Sequence, residues 1–254
     1  MLGQLYRPSG LALEQAQAVL EVREPHAVNV ALGCVNGCTY CYGPQASRQG
    51  REKWGSVRLP RMSPVELVGR QLAKGLDVEG VFISFLTDPY LPQLRESTER
   101  LVNYLDDRDI PVATSSKLGV SDNPWIRNGL TIVSPYQGFS EKYEPGVPSP
   151  DERIRMLAER VHDEGFRWVS MEPWPVYDIY PYDMKDILRF WDRLSFVDHI
   201  VFGRWNYDAR ARTEQARVEY AVTVKLLKEF CEDHDIRLHV KSDTLRFIEG
   251  GKRH

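Results

Sequence analysis

The stretch AVNVALGCVNGCTYCYGP, residues 27–44, joins a largely apolar run to a group of cysteines, and the organisation of the chain follows from it. Residues 27–33 predict a buried β-strand of the kind found in parallel sheets covered on both faces. The strand leads directly into Cys34, Cys38 and Cys41, which are three of the four cysteines in the chain. A loop containing the flexible Gly37 would let three sulfur atoms face one point, as the ligands of a metal centre do.

The composition is that of an ordinary globular protein. The 254 residues are 42% hydrophobic and 27% charged, which argues against a disordered or fibrous protein. No apolar run approaches the roughly 20 residues that span a bilayer, and Glu14 interrupts the apolar N-terminal segment where a signal peptide carries no charge. We therefore expect a cytoplasmic protein with no membrane partner, whose clustered cysteines serve metal or redox chemistry rather than disulfides.

Short apolar runs alternate with helical segments along the chain. The predicted strands are residues 27–33, 80–86, 111–116, 130–134, 166–171, 199–203 and 236–240. Ser63 and Ser149 are each followed by a proline and then a glutamate in the pattern of a capping box, which predicts that helices begin there. Thr213 predicts the start of a longer helix, and the helical spacing within it makes Cys231 a core residue.

About six βα units in succession predict an α/β fold, specifically a partial (β/α)6 TIM-like barrel of parallel strands in a single domain. We expect the barrel to occupy residues 27–245. Residues 1–26 are expected to form an N-terminal extension that packs on the barrel, and residues 246–254 a C-terminal tail. Because the chemistry of such barrels lies at the C-terminal ends of the strands, the residues after each predicted strand are the candidate site residues.

The number of clustered cysteines distinguishes two kinds of metal site. A structural zinc ion normally has four protein ligands, and the sequence offers no second cysteine pair or paired histidines to complete the set. An iron-sulfur cube held by three cysteines keeps one iron open to a ligand from outside the protein. The spacing therefore favours the cube, with a zinc site and buried free thiols as the alternatives.

The CxxxCxxC spacing, with the aromatic Tyr40 before the last cysteine and a strand before the first, resembles the radical S-adenosylmethionine (SAM) superfamily. The resemblance implies an enzyme in which Cys34, Cys38 and Cys41 hold a [4Fe-4S] cluster, with Tyr40 beside the cofactors. In that superfamily SAM binds the open iron, and an electron from an external donor of the flavodoxin or ferredoxin type cleaves it. The resulting 5'-deoxyadenosyl radical abstracts hydrogen from a substrate.

The segment TDPY after the second strand departs from the Gly-Gly-Glu pattern of many members and resembles the spore photoproduct lyase-like branch and related uncharacterised proteins. By that resemblance Thr87 and Asp88 hold the amino group of SAM, for which a carboxylate is suited. The alternative is that Asp88 and Pro89 only form a turn. The same resemblance assigns the ribose or carboxylate of SAM to Ser115, Lys117, Ser134 and Arg153. Arg155 competes with Arg153 for this role.

Charged residues after the last three strands are the candidate catalytic groups. Glu172 follows the fifth strand, Arg204 the sixth and Lys241 the last, at the end of the barrel where such enzymes act. The aromatic residues after Glu172 would stack on a flat substrate or shield a radical from water, or alternatively pack the flank of the barrel. For each of the three charged residues, a structural role is the alternative.

The sequence leaves the substrate class open. Resemblance to a DNA-repair branch favours a nucleotide or nucleic acid, and so does a basic run made of Arg48, Arg51, Lys53, Arg58 and Arg61. The net charge of -3 suits a small molecule or peptide equally well, and the basic run is alternatively a solvated loop. Two further hypotheses are a non-catalytic zinc or iron-sulfur binding module and a barrel that binds SAM without cleaving it.

Overall fold

The computed structural model describes residues 2–160 and 165–250. Within these ranges eight strands form one sheet in chain order, with the first and last strands at its edges. The strands are β1 (Leu5–Tyr6), β2 (His26–Val28), β3 (Val81–Ile83), β4 (Val112–Ser116), β5 (Arg127–Thr131), β6 (Arg167–Trp174), β7 (His199–Arg204) and β8 (Arg237–Val240). β1 is antiparallel to β2, and every other neighbouring pair is parallel. Residues 251–254 of the expected tail lie outside the described residues.

Helices connect most of the strands. They are α1 (Gly10–Leu20), α2 (Gly43–Ala46), α3 (Arg51–Trp54), α4 (Pro64–Leu72), α5 (Arg95–Asp106), α6 (Gln137–Tyr143), α7 (Pro150–Arg160), α8 (Met184–Asp192), α9 (Glu214–Asp233) and α10 (Ser242–Ile248). Ser63 forms the predicted capping box at the start of α4, and Thr213 caps α9. Parallel strands followed by helices around one curved sheet confirm the predicted partial barrel. None of the described helices is long and apolar enough to cross a membrane.

β5 begins three residues before the apolar run that predicted it. Its second residue, Asn128, is fully buried, but its side chain accepts from the Ser121 amide at 2.8 Å and donates to the Asn123 carbonyl at 3.1 Å. A polar side chain whose hydrogen bonds are satisfied inside the protein can begin a buried strand. A search for apolar runs therefore misses the first part of β5.

The buried residues of the sheet divide between its two faces, because successive residues of a strand point to opposite sides. Val28 and Ile83 face outward and pack with α4 and α5. Ala27 and Phe82 face inward and pack on α1, which contributes Ala16, Val19 and Leu20 to the same cluster. α1 therefore lies inside the curve of the sheet.

Hydrogen bonds at both ends of α1 fix its direction through the barrel. Glu14, near its start, accepts from the backbone and side chain of Ser242, which follows β8. Glu21, just after its end, accepts from Arg127 at the start of β5. The helix thus runs from the C-terminal ends of the strands toward their N-terminal ends, and its start lies beside the candidate site.

Candidate functional site

A cavity of about 460 Å³ opens at the C-terminal ends of the strands. Its wall is formed by the C-terminal parts of β3, β4, β6 and β7 and by the segments that follow β2, β3, β4 and β7, with Thr131 from β5 and Gln15 from α1. The structure brings ten of the thirteen candidate site residues to this wall: Cys34, Cys38, Tyr40, Cys41, Thr87, Asp88, Ser115, Lys117, Glu172 and Arg204. Among the described residues, Ser134, Arg153 and Lys241 lie outside the lining.

Two neighbouring segments hold the cysteine loop by its backbone. On one side, the Cys34 amide donates to the Trp54 carbonyl at 3.0 Å. On the other side, the Thr39 amide donates to the Tyr143 carbonyl at 2.9 Å. Gly33 precedes the loop with φ +100°, and a Cβ there would lie 2.3 Å from the Ser56 carbonyl oxygen. Only glycine fits this close approach without moving the backbone.

The three cysteines present free, half-buried thiols to the cavity. Burial raises the pKa of Cys38 to about 12, and a metal ligated by this sulfur would replace its proton. In residues 2–160 and 165–250, no three His, Cys, Asp or Glu side chains converge on one point as a single ion requires. A [4Fe-4S] cube does not require three side chains to converge on one point, because each cysteine ligates a separate iron. Three thiols on one wall fit that donor set.

Tyr40 connects the cysteine loop to a buried ion pair. Its hydroxyl donates to a carboxylate oxygen of Glu144, and the other oxygen of Glu144 pairs with Arg153 at 2.6 Å. Both charged side chains are completely buried, and Arg153 also donates to the Thr131 carbonyl at 2.7 Å. Arg153 thus binds a carboxylate of the protein itself and supports Tyr40 from behind the cavity wall, whereas the resemblance assigned it to SAM.

Lys117 faces the same tyrosine from inside the cavity. Its ammonium nitrogen lies 5.5 Å from the centre of the Tyr40 ring, whose other neighbour is Trp205, with ring centres 5.1 Å apart. Burial opposes the charge of Lys117, but the nearby Cys38 and Glu144 raise the pKa of this lysine above its usual value. Lys117 is therefore a cation held beside the cysteine loop.

Asp88 is held by several donors from the protein. Its carboxylate accepts hydrogen bonds from the Tyr90 amide, the Ser116 hydroxyl, the Lys117 amide and the Asn36 side chain, at 3.0, 2.6, 2.8 and 3.3 Å. A carboxylate can accept about four hydrogen bonds, so these four donors occupy its acceptor sites. Thr87 likewise donates to the Gly33 carbonyl at 2.6 Å. Both residues fasten loops together, and the bond to Tyr90 forms the turn that was the alternative for Asp88.

Two serines at the strand ends differ in what they contact. Ser134 is buried and accepts from the Tyr136 amide at 3.2 Å, which makes a turn behind the wall. Ser115 lies in the cavity wall, where its hydroxyl is 3.5 Å from that of Thr131, at the limit of a hydrogen bond. Ser115 therefore keeps hydrogen-bonding capacity toward the cavity.

Glu172 lines the cavity and forms an ion pair with Lys241 behind it. The side chain of Lys241 is 5% exposed and that of Glu172 is 20% exposed, so the carboxylate is the partner that faces solvent. Arg204 also lines the cavity, and its guanidinium carbon lies 4.4 Å from the centre of the Phe247 ring. Of the aromatic residues after Glu172, Trp174 is in the core and Tyr182 donates to Glu219 at 2.6 Å, whereas Tyr177 is exposed.

The structure reveals two important residues that sequence reasoning missed. Glu144 follows helix α6 in a Glu-Pro-Gly turn, where a carboxylate is normally exposed, and its bonds to Arg153 and Tyr40 explain its burial. Gln15 lies beside the apolar residues of α1, is 7% exposed and faces the cavity. The sequence signal for Gln15 was a polar amide side chain among the apolar residues on one side of α1. This signal indicates a site only once α1 is known to lie inside the barrel.

Comparison with known sequences finds one weak relative. No model of a known protein family matches the chain. Over 172 residues the chain is 24% identical to uncharacterized protein ORF301 of Acidianus two-tailed virus, a match that covers 60% of this chain and 57% of the viral protein. The match therefore spans less than two thirds of the relative's length.

Comparison with solved structures identifies the fold. Spore photoproduct lyase complexed with dinucleoside spore photoproduct superposes with a TM-score of 0.61 at 14% identity, covering 85% of this chain and 76% of that chain. SuiB of Streptococcus suis, bound to SAM, gives a TM-score of 0.58 at 12% identity, covering 84% of this chain and 49% of that chain. The chain therefore shares the fold of these two structures, which is the fold that the sequence resemblance predicted.

Proposed function

We propose that the chain is a radical SAM enzyme in which Cys34, Cys38 and Cys41 hold a [4Fe-4S] cluster and the adjoining cavity binds SAM. One observation carries the proposal: three free thiols in CxxxCxxC spacing line a single cavity at the strand ends of this fold. A cluster held by the three cysteines would supply, once reduced, the electron for cleavage of SAM, and the 5'-deoxyadenosyl product would serve to take hydrogen from the substrate.

Two residues of the wall are suited to bind SAM. Lys117 is a half-buried cation beside the cysteine loop and would pair with the carboxylate of SAM. Ser115 retains hydrogen-bonding capacity for a ribose or carboxylate oxygen. Asp88 acts through Lys117, because it accepts the Lys117 backbone amide and so orients the residue.

The substrate proposed is a nucleotide or a nucleic acid. Spore photoproduct lyase, which shares the fold, is complexed with a dinucleoside. The side-chain amide of Gln15 faces the cavity and makes no hydrogen bond to another described residue. It can therefore pair with the donors and acceptors on the edge of a base. Arg204, which lies 3.8 Å from a carboxylate oxygen of Asp243, supplies a donor for a phosphate, and Glu172, which pairs with Lys241, supplies an acceptor. A cavity of about 460 Å³ has the size of a small-ligand site, so a polymer would insert only a short part of itself.

A small molecule or a peptide is the second candidate substrate. The amide of Gln15 would pair equally well with a peptide group, and the cavity volume suits a free metabolite. Either substrate would be protected from water in the same way. Phe82 of β3 lines the cavity and packs on α1, which fills the barrel interior below it. Exclusion of water preserves a radical from side reactions.

Metal analysis and electron paramagnetic resonance test the proposal. After anaerobic reconstitution, the wild type should hold about four iron and four sulfide atoms per chain, and adding SAM should change the spectrum of the reduced cluster. Cys41→Ala should lose this signature, whereas the matched control Cys231→Ala should keep it, because Cys231 lies in the core away from the cavity. A colourless protein with about one zinc ion would instead support the binding module.

A further inference from the structure

The basic segment, defined as residues 48–61, is fixed directly against the cysteine loop. Leu32 and Arg58 exchange two backbone hydrogen bonds, at 3.0 and 2.8 Å. The Arg51 guanidinium donates to the carbonyls of Cys38 and Thr39, at 3.4 and 2.5 Å. These hydrogen bonds fix the position of the segment relative to the cysteines, so the segment is not a freely solvated loop.

Most of the positive charge of the basic segment faces solvent beside the cavity. Among its described cations, only Arg51 lines the cavity. The other four are exposed and stand outside the lining: Arg48, Lys53, Arg58 and Arg61. Glu52 is the one acidic residue within the segment. The segment thus forms a positively charged face on the protein surface next to the cluster ligands.

A buried aromatic ring of the basic segment packs beside the cysteine loop. Trp54 is 7% exposed, and an ideal Cβ on Gly43 would lie 2.0 Å from its ring. Gly43 follows Cys41 by two positions and its amide donates to the Cys41 sulfur at 3.4 Å. The Trp54 ring therefore packs the basic segment against the backbone that follows Cys41.

We propose that the basic segment is the docking face for a small acidic electron-transfer protein of the flavodoxin or ferredoxin kind. The inference rests on the proposed function, which requires an outside electron. A positive face beside the cluster would attract an acidic donor and speed its association by electrostatic steering. In the transfer the donor loses one electron and the cluster gains it, and no bond or proton moves.

A polyanionic substrate would meet these charges only with the part of it that stays outside the cavity. Four of the five basic side chains lie outside the cavity lining, away from the part of a nucleic acid that would react. An electron donor needs only to approach the cluster from outside, which is where these side chains are. The geometry therefore favours the donor, and a nucleic acid becomes the competing outcome of the test.

Binding and reduction experiments on charge reversals test the docking face. The double variant Lys53→Glu/Arg61→Glu should bind oxidised flavodoxin about tenfold or more weakly at low salt than the wild type, measured by titration calorimetry. Cluster reduction by flavodoxin hydroquinone should slow to a similar degree, whereas reduction by reduced methyl viologen, a small cation, should change less than about twofold. The wild type should lose the same binding as NaCl is raised.

A matched control carries the same change of charge at the other end of the barrel. Arg70 and Lys74 are exposed on and just after the last turn of α4, far along the chain from the cysteine loop. Arg70→Glu/Lys74→Glu should bind flavodoxin and accept its electron as the wild type does.

Three outcomes would overturn the docking face. One is unchanged flavodoxin binding and reduction in the Lys53→Glu/Arg61→Glu variant. Another is an equal effect of both double variants, which would indicate net charge alone. The third is unchanged flavodoxin binding with weakened binding of a fluorescein-labelled oligothymidylate, which would make the face a nucleic-acid surface. Failure to assemble any cluster would instead refute the proposed function, so the two failures are distinguishable.

Discussion

Tyr40, which lies between two of the three cysteines, donates its hydroxyl hydrogen to Glu144, a completely buried carboxylate more than one hundred residues further along the chain. Glu144 is in turn paired with the equally buried Arg153. The loop proposed to hold the cluster is thus attached to a charged pair in the protein interior. The pair therefore connects the stability of the fold to the position of the cysteines.

Removal of one charge from this pair should be strongly destabilising. Glu144→Gln leaves Arg153 buried without a counterion, and we expect the free energy of unfolding to fall by about 3–5 kcal/mol, measured by urea denaturation. Glu144→Leu/Arg153→Met, which removes both charges, should recover most of that loss. The exposed Glu141→Gln is the control and should change stability by less than about 0.5 kcal/mol. A cost for Glu144→Gln as small as that of the control would contradict the account.

The Glu172 and Lys241 pair should respond unequally to its two single substitutions. Glu172→Gln leaves the ammonium of Lys241, which is 5% exposed, without its partner, whereas Lys241→Met leaves a carboxylate that is 20% exposed and reaches water. We expect Glu172→Gln to cost about 3 kcal/mol of unfolding free energy and Lys241→Met clearly less. Denaturation of the two variants side by side measures the difference, and equal costs would be inconsistent with the observed exposure.

Gly33→Ala should open the cysteine loop. The new Cβ would lie 2.3 Å from the Ser56 carbonyl oxygen at a φ of +100°, so backbone must move, at a cost of about 1–3 kcal/mol or more. We expect a large fall in iron bound after reconstitution. Gly50→Ala is the control, because a Cβ at Gly50 has no described atom within 4 Å. Equal iron content in the two variants would show that the close packing at Gly33 is unimportant.

His199, at the start of β7, should make the fold sensitive to acid. Burial, with help from the positive charges of His239 and Arg127, lowers its pKa from 6.5 to about 4. The unfolded chain therefore binds a proton more readily, and stability should fall as the pH drops from about 6.5 toward 4, by about 3 kcal/mol in all. His199→Phe should flatten this part of the stability curve. Parallel curves for wild type and variant would contradict the prediction.

Lys117→Met should weaken SAM binding by the protein that carries its cluster. Loss of a charge-assisted contact corresponds to about 10- to 100-fold in the dissociation constant, measured by equilibrium dialysis. Lys142→Met is the control, since Lys142 is an exposed lysine at the end of α6. A change within about twofold of the control would remove Lys117 from the SAM site.

Local signals in the sequence were sufficient for much of the fold. The run at 199–203 predicted β7 almost to the residue, and Ser63 predicted the start of α4 through a capping box that involves only four neighbouring residues. Such features depend on nearby residues, so a single sequence contains them. The cysteine spacing likewise identified one wall of the cavity.

Features that depend on distant parts of the chain were not predictable. The sequence shows Arg153 as a charged residue one turn into a helix, but its partner Glu144 is fixed by packing between α6 and α7. Three of the four donors to Asp88 come from the loop after β2 and from the end of β4, which only the folded barrel brings to it, whereas the Tyr90 amide belongs to the same turn. Gln15 belongs to the site only because α1 lies inside the sheet.

The production of 5'-deoxyadenosine tests the central claim most directly. The protein would be reconstituted with iron and sulfide without oxygen, reduced, and mixed with SAM, and the product quantified for wild type, Cys41→Ala and Cys231→Ala. The account predicts 5'-deoxyadenosine from the wild type and Cys231→Ala, and none from Cys41→Ala. Absence of the product from a wild type that carries an intact [4Fe-4S] cluster would contradict the account and favour a barrel that binds SAM without cleaving it.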